Sequence, residues 1–489
     1  MLYRLVEQHW PSFRERVEQV GALPQFVVRE FEEYLRCGIL EHGFLELLCR
    51  HCGHSELVAL SCKHRGICPS CVGRRMADTA THLEQAVLPR VHVRHWICTF
   101  PWGVRALLGY DRELCAEVVS AFVEEASRAL RFRAKRLLGL RSVADAFTGA
   151  VAAVQRTDGA VRLNVHLHVL VLDGVYVRDE ANGQLAFRRL PTPTQADVAE
   201  VARRTAERLE QILRAHGRCL DPERTQDAPA LLDDAPGLAT CYDVAARGIS
   251  VGGERAGQPT LRLVAAQAPP PKLDEHDLPL AEVRGVNVHA KQVVDGRDRA
   301  QLERLCRYIT RPPISLERLH LRQDGRYEVT LKAPWKDGTR AFLFEPHDLM
   351  VRLVAAIPPP RFHMFRYFGV LSSHSKLRRE VVPTPPDDPT RYKAPPAPGD
   401  ELDLVFHADD DASTDVPKGR KRWAWLLAHV FRAQVETCLK CGGPMRWAEV
   451  AHDAHTITRV LTEHGLAPRT PPPPYPPRPP NGQLRLGFS

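Results

Sequence analysis

Residues 162–174 read RLNVHLHVLVLDG, and the alternation of their side chains predicts a buried central β-strand. Successive side chains of a strand point to opposite faces, so residues two apart share a face. One face is wholly apolar and must belong to a core: Leu163, Val165, Leu167, Val169 and Val171. The opposite face carries Asn164, His166 and His168 and continues with Leu170 and Leu172. The stretch therefore presents two imidazoles side by side on a rigid, mostly apolar strand.

Two imidazoles in this arrangement can reach one divalent ion at little conformational cost. A chain with 22 histidines can carry such a pair by coincidence, but a buried strand would leave both side chains without partners. A third ligand should come from a neighbouring element. Gln155 on the preceding strand is the nearest suitable side chain, and His289 and Gln301 are alternatives. Imidazoles plus an amide or carboxylate oxygen would suit Mg²⁺ or Mn²⁺ acting as a Lewis acid.

Cysteines are concentrated between residues 37 and 71. Two CxxC pairs, Cys49 with Cys52 and Cys68 with Cys71, have the spacing of a zinc ribbon or knuckle. Four thiolates can hold one tetrahedral Zn²⁺, which replaces a core that so short a segment cannot build. Spare candidates leave a permuted ligand set or a second metal open: Cys37, Cys62, and a further CxxC pair at Cys438 and Cys441.

Basic residues border the cysteine block at Lys63, Arg65, Arg74 and Arg75. A net charge of +8, in local clusters rich in arginine, suits a phosphate-rich partner. Basic surfaces also occur in proteins that bind no nucleic acid, so charge alone decides little. The sequence has no signal-peptide pattern and no run of about 18 apolar residues, which predicts a cytoplasmic protein without a membrane partner. In a reducing compartment its thirteen cysteines are expected to be metal ligands before disulfides.

Strand and helix patterns alternate on both sides of the histidine strand. Apolar alternation predicts strands at 91–100 and 147–155, a hairpin at 175–190 and a strand at 286–294. Asp158 and Gly159 form a turn pair that joins the strand at 147–155 to the histidine strand. Helical spacing predicts helices at 1–36, about 111–138, 195–216 and about 297–309, the last ended by Pro312 and Pro313.

The helix at 297–309 carries a single tyrosine, Tyr308. Four apolar residues form its buried stripe: Leu302, Leu305, Cys306 and Ile309. Tyr308 lies about 110 degrees from the centre of this stripe, at roughly 100 degrees per residue. Both a structural and a functional role stay open, because structural tyrosines more often lie on or beside such a stripe. In the functional interpretation, nearby arginines hold phosphates around the phenol: Arg304, Arg307 and Arg311.

Composition shifts divide the chain into segments. We predict a helical segment (1–36), a zinc-binding domain (37–80), a core (81–320, with an insertion or linker at 217–283), a C-terminal part of that core (321–382), a linker (383–417), a helical segment with a CxxC (418–470) and a disordered proline-rich tail (471–489).

Together these motifs resemble the HUH endonuclease superfamily and, within it, the rolling-circle transposases of the IS91 family with its ISCR branch. The resemblance covers roughly residues 25 to 475. Three motifs carry it: RCGILEHGFLELLCRHCGHSELVALSCKHRGICPSCVGRRM (36–76), QRTDGAVRLNVHLHVLVLDGVY (155–176) and LCRYITRPPISLERL (305–319). Residues 332–346 and 358–383 are also similar to the family. The resemblance implies an α+β fold, with an RRM- or ferredoxin-like antiparallel sheet flanked by helices and an N-terminal zinc-binding domain.

The resemblance also implies a function: metal-dependent nicking and joining of single-stranded DNA at transposon ends and target, in the bacterial cytoplasm at the nucleoid. By position, His166 and His168 match the metal ligands, and Tyr308 matches the nucleophile that forms a 5′-phosphotyrosine link. Gln155 matches the position expected for the third ligand. Founding members carry two tyrosines four residues apart, whereas Arg304 occupies the first position here. A single tyrosine would act twice, or the two protomers of a homodimer would share the work.

Two other interpretations use the same residues. A plasmid replication initiator or conjugative relaxase would share the chemistry, but the N-terminal zinc block favours a transposase. A GxxxxGK[ST] sequence is absent, which excludes a fused helicase of the helitron kind. A catalytically silent zinc-containing DNA-binding protein would keep the fold, and intact His166, His168 and Tyr308 argue against it.

Overall fold

The computed structural model describes residues 1–218, 234–265, 279–383 and 437–466, and these residues fold as α+β. The helices are α1 (Leu2–Glu18), α2 (Gln25–Arg36), α3 (Pro69–Ala86), α4 (Arg105–Tyr110), α5 (Arg112–Leu138), α6 (Gln195–Ala215), α7 (Pro236–Arg247), α8 (Arg299–Ile309), α9 (Pro346–Ala356), α10 (Arg378–Val381) and α11 (Ala454–Glu463). The strands are β1 (Phe44–Cys49), β2 (Ser55–Ala59), β3 (His92–Thr99), β4 (Gly149–Thr157), β5 (Leu163–Leu172), β6 (Gly174–Arg178), β7 (Leu185–Arg189), β8 (Leu261–Val264), β9 (Leu280–Val283), β10 (Val286–Asp295), β11 (Leu319–Leu321), β12 (Tyr327–Thr330), β13 (Thr339–Phe344), β14 (Phe365–Gly369) and β15 (Met445–Ala451).

A six-stranded antiparallel sheet forms the centre of the molecule, in the order β14–β4–β5–β3–β10–β9. The histidine strand β5 lies inside this sheet, between β4 and β3, and every residue of β5 except Asn164 is buried. An antiparallel sheet flanked by helices is the fold class that the sequence predicts, and it is confirmed. Three smaller antiparallel sheets accompany it: β15–β1–β2, β11–β12–β13–β8 and the hairpin β6–β7.

Helices cover both faces of the central sheet, which explains why β5 is apolar on both sides. Val165, Leu167 and Val169 belong to the main core together with residues of α5, α6, α7 and α9. On the opposite face, Leu170 and Leu172 belong to a second core that includes residues of α3 and α8. The face that carries the two histidines is therefore covered by α3 and α8.

The long helix α5 follows its sequence signals at both ends. The carboxylate of Asp111 accepts hydrogen bonds from the backbone N–H groups of Glu113 and Leu114, which caps the first turn. Gly139 ends the helix with a φ of 66°, in the left-handed region that glycine adopts without a Cβ penalty. The predicted span of about 111–138 therefore agrees with the structure.

Two segments differ from the sequence prediction. Residues 217–283 are predicted as an insertion or linker, but Pro236–Arg247 forms α7, which packs into the main core with eight buried residues. A helix that is buried on most sides lacks the amphipathic period that reveals a surface helix. Residues 418–470 are predicted as helical, yet their described part begins with β15, and α11 follows it. The linker beyond residue 383 and the proline-rich tail lie outside the described residues.

Candidate active site and metal centres

The paired histidines of β5 lie at the boundary of the second core. His166 and His168 are both buried. Antiparallel pairing places Gln155 of β4 directly opposite His166, and Ile97 of β3 directly opposite His168. Because directly opposite residues share a face, Gln155 projects to the same side of the sheet as the histidines. The structure thus brings together His166, His168 and Gln155, as the sequence predicts.

In both His166 and His168, hydrogen bonds occupy the Nδ1 atom and leave the Nε2 atom as a potential metal ligand. The Nδ1 atom of His166 lies 2.7 Å from the carbonyl oxygen of Asn164, and a carbonyl only accepts, so this Nδ1 carries the proton. In neutral imidazole the Nε2 atom then holds the lone pair. Among the described residues, the buried Nε2 of His168 has no hydrogen-bond partner. An unsatisfied buried nitrogen is costly in a folded protein, and a metal ligand is one state that satisfies it.

A third histidine, His95 of β3, fixes the orientation of His168. The Nε2 atom of His95 lies 2.8 Å from Nδ1 of His168, and Nδ1 of His95 lies 3.2 Å from Oε1 of Gln292. The amide oxygen accepts from His95, which leaves Nε2 of His95 to accept from His168. The chain of contacts therefore assigns the proton of His168 to Nδ1 and the lone pair to Nε2. Sequence reasoning missed His95, since its register against β5 cannot be read from one strand.

Burial keeps all three imidazoles neutral, which is the state that binds a metal. Removal from water lowers the pKa of His95 to about 4 and lowers the pKa of His166 and His168. The neighbouring imidazoles lower the pKa of His168 further. His95 is not a candidate metal ligand, because its Nε2 atom is occupied by the contact with Nδ1 of His168. Among the described residues, the clusters of three or more His, Cys, Asp or Glu ligand atoms are both built from cysteine.

Tyr308 lies directly over the histidines, near the end of α8. Its ring centroid is 5.5 Å from that of His168 and 6.1 Å from that of His95, both in edge-on arrangements. The guanidinium of Arg311 stacks 4.4 Å from the centroid of the tyrosine ring, and the ammonium of Lys332 lies 5.5 Å from it. Two cations beside a phenol provide the charge that a phosphate group needs. Of these two cations, only Arg311 was predicted from the sequence.

Gln155 also holds the end of the tyrosine helix in place. Its Nε2 donates to the carbonyl oxygens of Tyr308, at 3.3 Å, and Ile309, at 3.0 Å. These carbonyls belong to the last turn of α8, where no intrahelical donor remains for them. The side chain predicted as a third ligand therefore connects the histidine strand to the tyrosine helix.

The other predicted residues of the helix lie away from the histidines. Arg304 and Gln301 are exposed, and Arg307 forms an ion pair with Glu303 of its own helix at 2.9 Å. His289 lies on β10, opposite Ile97, with β3 between it and the histidine strand. Of the three predicted arginines, the structure therefore places only Arg311 against the tyrosine ring.

A cleft of about 980 Å³ opens beside Tyr308, and its lining comes from both halves of the chain. Arg65 and Arg75 of the cysteine-rich part line it together with Arg318, Lys332 and Trp335. Lys63 and Arg74 lie nearby in sequence but do not line it: the carbonyl of Lys63 accepts from Arg75, and Arg74 donates to Ser61. Basic side chains beside a half-buried tryptophan suit a nucleic acid strand.

The cysteines gather into two four-sulfur clusters, and neither is the predicted set. The N-terminal cluster consists of Cys37, Cys62, Cys68 and Cys71, and the shared cluster consists of Cys49, Cys52, Cys438 and Cys441. Neighbouring sulfurs are 3.5–3.7 Å apart in both. A tetrahedral Zn²⁺ with bonds of about 2.3 Å places its sulfurs about 3.8 Å apart, so both clusters fit zinc.

The predicted site of Cys49, Cys52, Cys68 and Cys71 is therefore wrong in its partners. Cys68 and Cys71 lie at the start of α3, which faces Cys37 after α2, while Cys49 lies at the far end of β1. Cys68 and Cys71 cluster with Cys37 and Cys62, whereas Cys49 and Cys52 cluster with Cys438 and Cys441. The cysteines that the sequence left as spare candidates therefore complete both clusters.

None of the helices in the described ranges combines the length and the apolar character that crossing a membrane requires.

Comparison with known families finds two matches, in different parts of the chain. A model described as "Putative transposase" (Y2_Tnp) matches residues 149–379, which include β4, β5 and α8. A model described as "Transposase zinc-binding domain" (Zn_Tnp_IS91) matches residues 5–100, which include the whole N-terminal cluster. No curated protein and no solved structure matches the chain.

The two family matches indicate a transposase, a DNA-processing enzyme that is expected to bind DNA. Together the two matches support a transposase of the IS91 family, as the motifs of the sequence predict.

Proposed function

We propose that this transposase nicks and rejoins single-stranded DNA at the ends of its element and at its target, by rolling-circle transposition, with Tyr308 as the covalent nucleophile. The observation that supports this most directly is the position of the tyrosine ring over His168, whose buried Nε2 lacks a partner among the described residues. The site would work in the bacterial cytoplasm, at the nucleoid, where its DNA substrate lies.

His166 and His168 fit a divalent metal through their Nε2 atoms, and Gln155 is the proposed third ligand through its amide oxygen. The Nε2 atom of Gln155 is already engaged with the carbonyls of α8, so its oxygen is the atom left for a ligand. When bound, Mg²⁺ or Mn²⁺ would supply Lewis-acid polarisation of a phosphate oxygen. The remaining valences would be filled by water and DNA oxygens.

The side chains of this protein position the reacting groups. Arg311 and Lys332 flank the phenol and would hold the scissile phosphate beside it. The phenol oxygen attacks phosphorus, and the P–O bond to the 3′-oxygen breaks. The phenol gives its proton to solvent, and the 3′-oxygen takes up a proton from solvent and departs as a hydroxyl. One phosphodiester is exchanged for another, so the reverse attack by a 3′-hydroxyl rejoins DNA without an external energy source.

Arg304 points to the use of a single tyrosine in each chain. It lies one turn before Tyr308 and is exposed, and the rings that contact His168 are those of Tyr308, His95 and His166. One tyrosine cannot hold two DNA ends at once. We therefore propose that Tyr308 acts twice in succession, or that two protomers each supply one.

The test is a search for a covalent protein–DNA adduct. Labelled single-stranded DNA from the element's ends is incubated with the full chain and Mn²⁺ or Mg²⁺, and the products are denatured and separated. We expect an adduct with wild type and none with Tyr308→Phe. Tyr176→Phe is the matched control, because Tyr176 is a buried tyrosine outside the cleft. Equal adduct from wild type and Tyr308→Phe, or none from either, would favour a different nucleophile or a silent DNA-binding protein.

A further inference from the structure

The shared cluster joins cysteines from opposite ends of the chain. Sγ of Cys49 lies 3.5 Å from Sγ of Cys441, and Sγ of Cys52 lies 3.7 Å from Sγ of Cys438. These contacts connect residues 392 and 386 positions apart in the sequence. The zinc-binding family match ends at residue 100, so it includes only half of this cluster.

Both halves of the shared cluster have the same backbone turn. In the first, the N–H of Cys49 donates to the carbonyl of His54, and the N–H of Gly53 donates to the carbonyl of Cys49. In the second, the N–H of Cys438 donates to the carbonyl of Gly443, and the N–H of Gly442 donates to the carbonyl of Cys438. The two equivalent donor–acceptor pairs span the same number of residues.

The glycine that follows each CxxC pair also has the same backbone conformation in both turns. Gly53 has a φ of 69° and Gly442 a φ of 72°, both in the left-handed region that favours glycine. Each turn therefore presents its two thiols on one side of a tight loop, and the loops face each other. Two equivalent knuckles facing each other provide the four tetrahedral thiolates of a structural zinc site.

Protein contacts alone give this region little support. One apolar cluster around the sulfurs has four buried members, Leu47, Cys49, Cys438 and Met445. A second has five, drawn from β1, β15 and α11. Antiparallel pairing of β1 with β15 joins the two segments, with an irregularity between Glu46 and Leu47. Cores this small need a metal or another cross-link to be stable.

We propose that the shared cluster binds a zinc ion of its own and that this ion fastens residues 437–466 to the β1–β2 hairpin. The N-terminal cluster binds the other zinc, so the chain holds two. Cys52 and Cys441 are exposed, whereas two ligands of the N-terminal cluster are buried and two are partly buried. The shared zinc is therefore the one that a chelator removes first. This proposal is independent of the nicking chemistry.

Zinc content of the full chain tests the proposal. Native mass spectrometry under reducing conditions should find two zinc ions in wild type and one in Cys438→Ser/Cys441→Ser. Cys241→Ala/Cys306→Ala is the control, since it removes two buried cysteines outside both clusters and should retain two. One zinc in wild type, or two in Cys438→Ser/Cys441→Ser, would overturn the proposal.

Hydrogen exchange separates loss of the zinc from general misfolding. In Cys438→Ser/Cys441→Ser, the amides of β15 should lose protection while those of β4 and β5 keep it. Wild type treated with a chelator should lose protection at β15 before it does at α3. Protection of β15 that survives removal of the shared zinc would show that strand pairing alone holds the segment, and the proposal would be wrong.

Discussion

At the scale of single residues, the tautomers of His166 and His168 depend on their neighbours. Strand alternation was enough to predict that the two histidines share a face, and Gln155 on the preceding strand was the nearest candidate for a third ligand. It could not reveal His95, which lies 73 residues before His168 and reaches it only through the register of β3 against β5. Register is set by long-range pairing, which the local pattern of a single strand does not contain.

His95 is therefore expected to control metal binding without touching the metal. His95→Phe removes the acceptor for Nδ1 of His168, so His168 can turn or exchange its tautomer. Loss of such an outer partner typically weakens metal affinity by about 10- to 100-fold. Mn²⁺ titration of the full chain, followed by electron paramagnetic resonance, measures this. His95→Gln can still accept a hydrogen bond and should restore part of the affinity.

A surface histidine provides the matched control for that measurement. His320 is exposed on β11 and does not line the cleft, so His320→Ala should leave Mn²⁺ affinity unchanged. Unchanged affinity in His95→Phe would mean that His168 needs no orienting partner. The chain of contacts from Gln292 would then have only a packing role.

At the scale of elements, the position of α8 decides whether Tyr308 can act. Helical periodicity predicted the buried stripe correctly, since Leu302, Leu305, Cys306 and Ile309 are all buried. The same periodicity left the role of Tyr308 open, because the angular position of a residue on a helix does not show which other element it faces. The structure resolves its surroundings: Tyr308 packs at the edge of the second core and faces the histidines.

Gln155 donates from β4 to the end of α8 and is also the proposed third ligand, and two substitutions distinguish these roles. Gln155→Leu removes both the donor to the α8 carbonyls and the proposed ligand oxygen. It should lower the free energy of unfolding by about 1–3 kcal/mol, since a buried and a partly buried carbonyl lose their donor. It should also weaken Mn²⁺ binding and reduce adduct formation. Urea denaturation and Mn²⁺ titration give the two readouts independently.

Gln155→Glu keeps a ligand oxygen but cannot donate when ionised. We expect it to retain Mn²⁺ affinity while losing stability and adduct yield, because the end of α8 is no longer held. If Gln155→Leu binds Mn²⁺ as tightly as wild type, Gln155 is a positioning residue only, and the third ligand must come from elsewhere.

At the scale of the whole molecule, the cleft has walls from regions distant in sequence. The sequence predicted basic residues on the zinc-binding part, and Arg65 and Arg75 do line the cleft. It could not predict that Arg318 and Lys332 would line the same cleft, since that depends on how the sheet of β11–β13 packs. The pairing of cysteines failed for the same reason: CxxC spacing identifies a ligand pair but not its partner pair.

Charge on the zinc-binding wall should appear in the salt dependence of DNA binding. Arg65→Ala/Arg75→Ala should weaken affinity for single-stranded DNA and reduce the slope of log affinity against log salt by about 0.7 for each phosphate that is no longer neutralised. Fluorescence anisotropy at several salt concentrations measures both. Arg141→Ala is the control, because Arg141 is highly exposed and lies outside the cleft. An unchanged slope in the double variant would remove this wall from the binding surface.

Zinc in the N-terminal cluster should matter for DNA binding as well as for folding. Cys68 directly precedes α3 and Cys71 lies in its first turn, so the metal would hold the end of the helix that carries Arg75. Removing that zinc frees this end and takes Arg75 away from the cleft, while the histidines and Tyr308 belong to other elements. Cys68→Ser/Cys71→Ser should therefore lose affinity for single-stranded DNA but keep Mn²⁺ affinity, whereas His166→Ala/His168→Ala should show the reverse. Helices α3 and α8 pack together over the histidine face, so the two metal centres could be coupled through them. The cysteine variant would show this coupling if it lost affinity for both single-stranded DNA and Mn²⁺ while its central sheet stayed protected from hydrogen exchange.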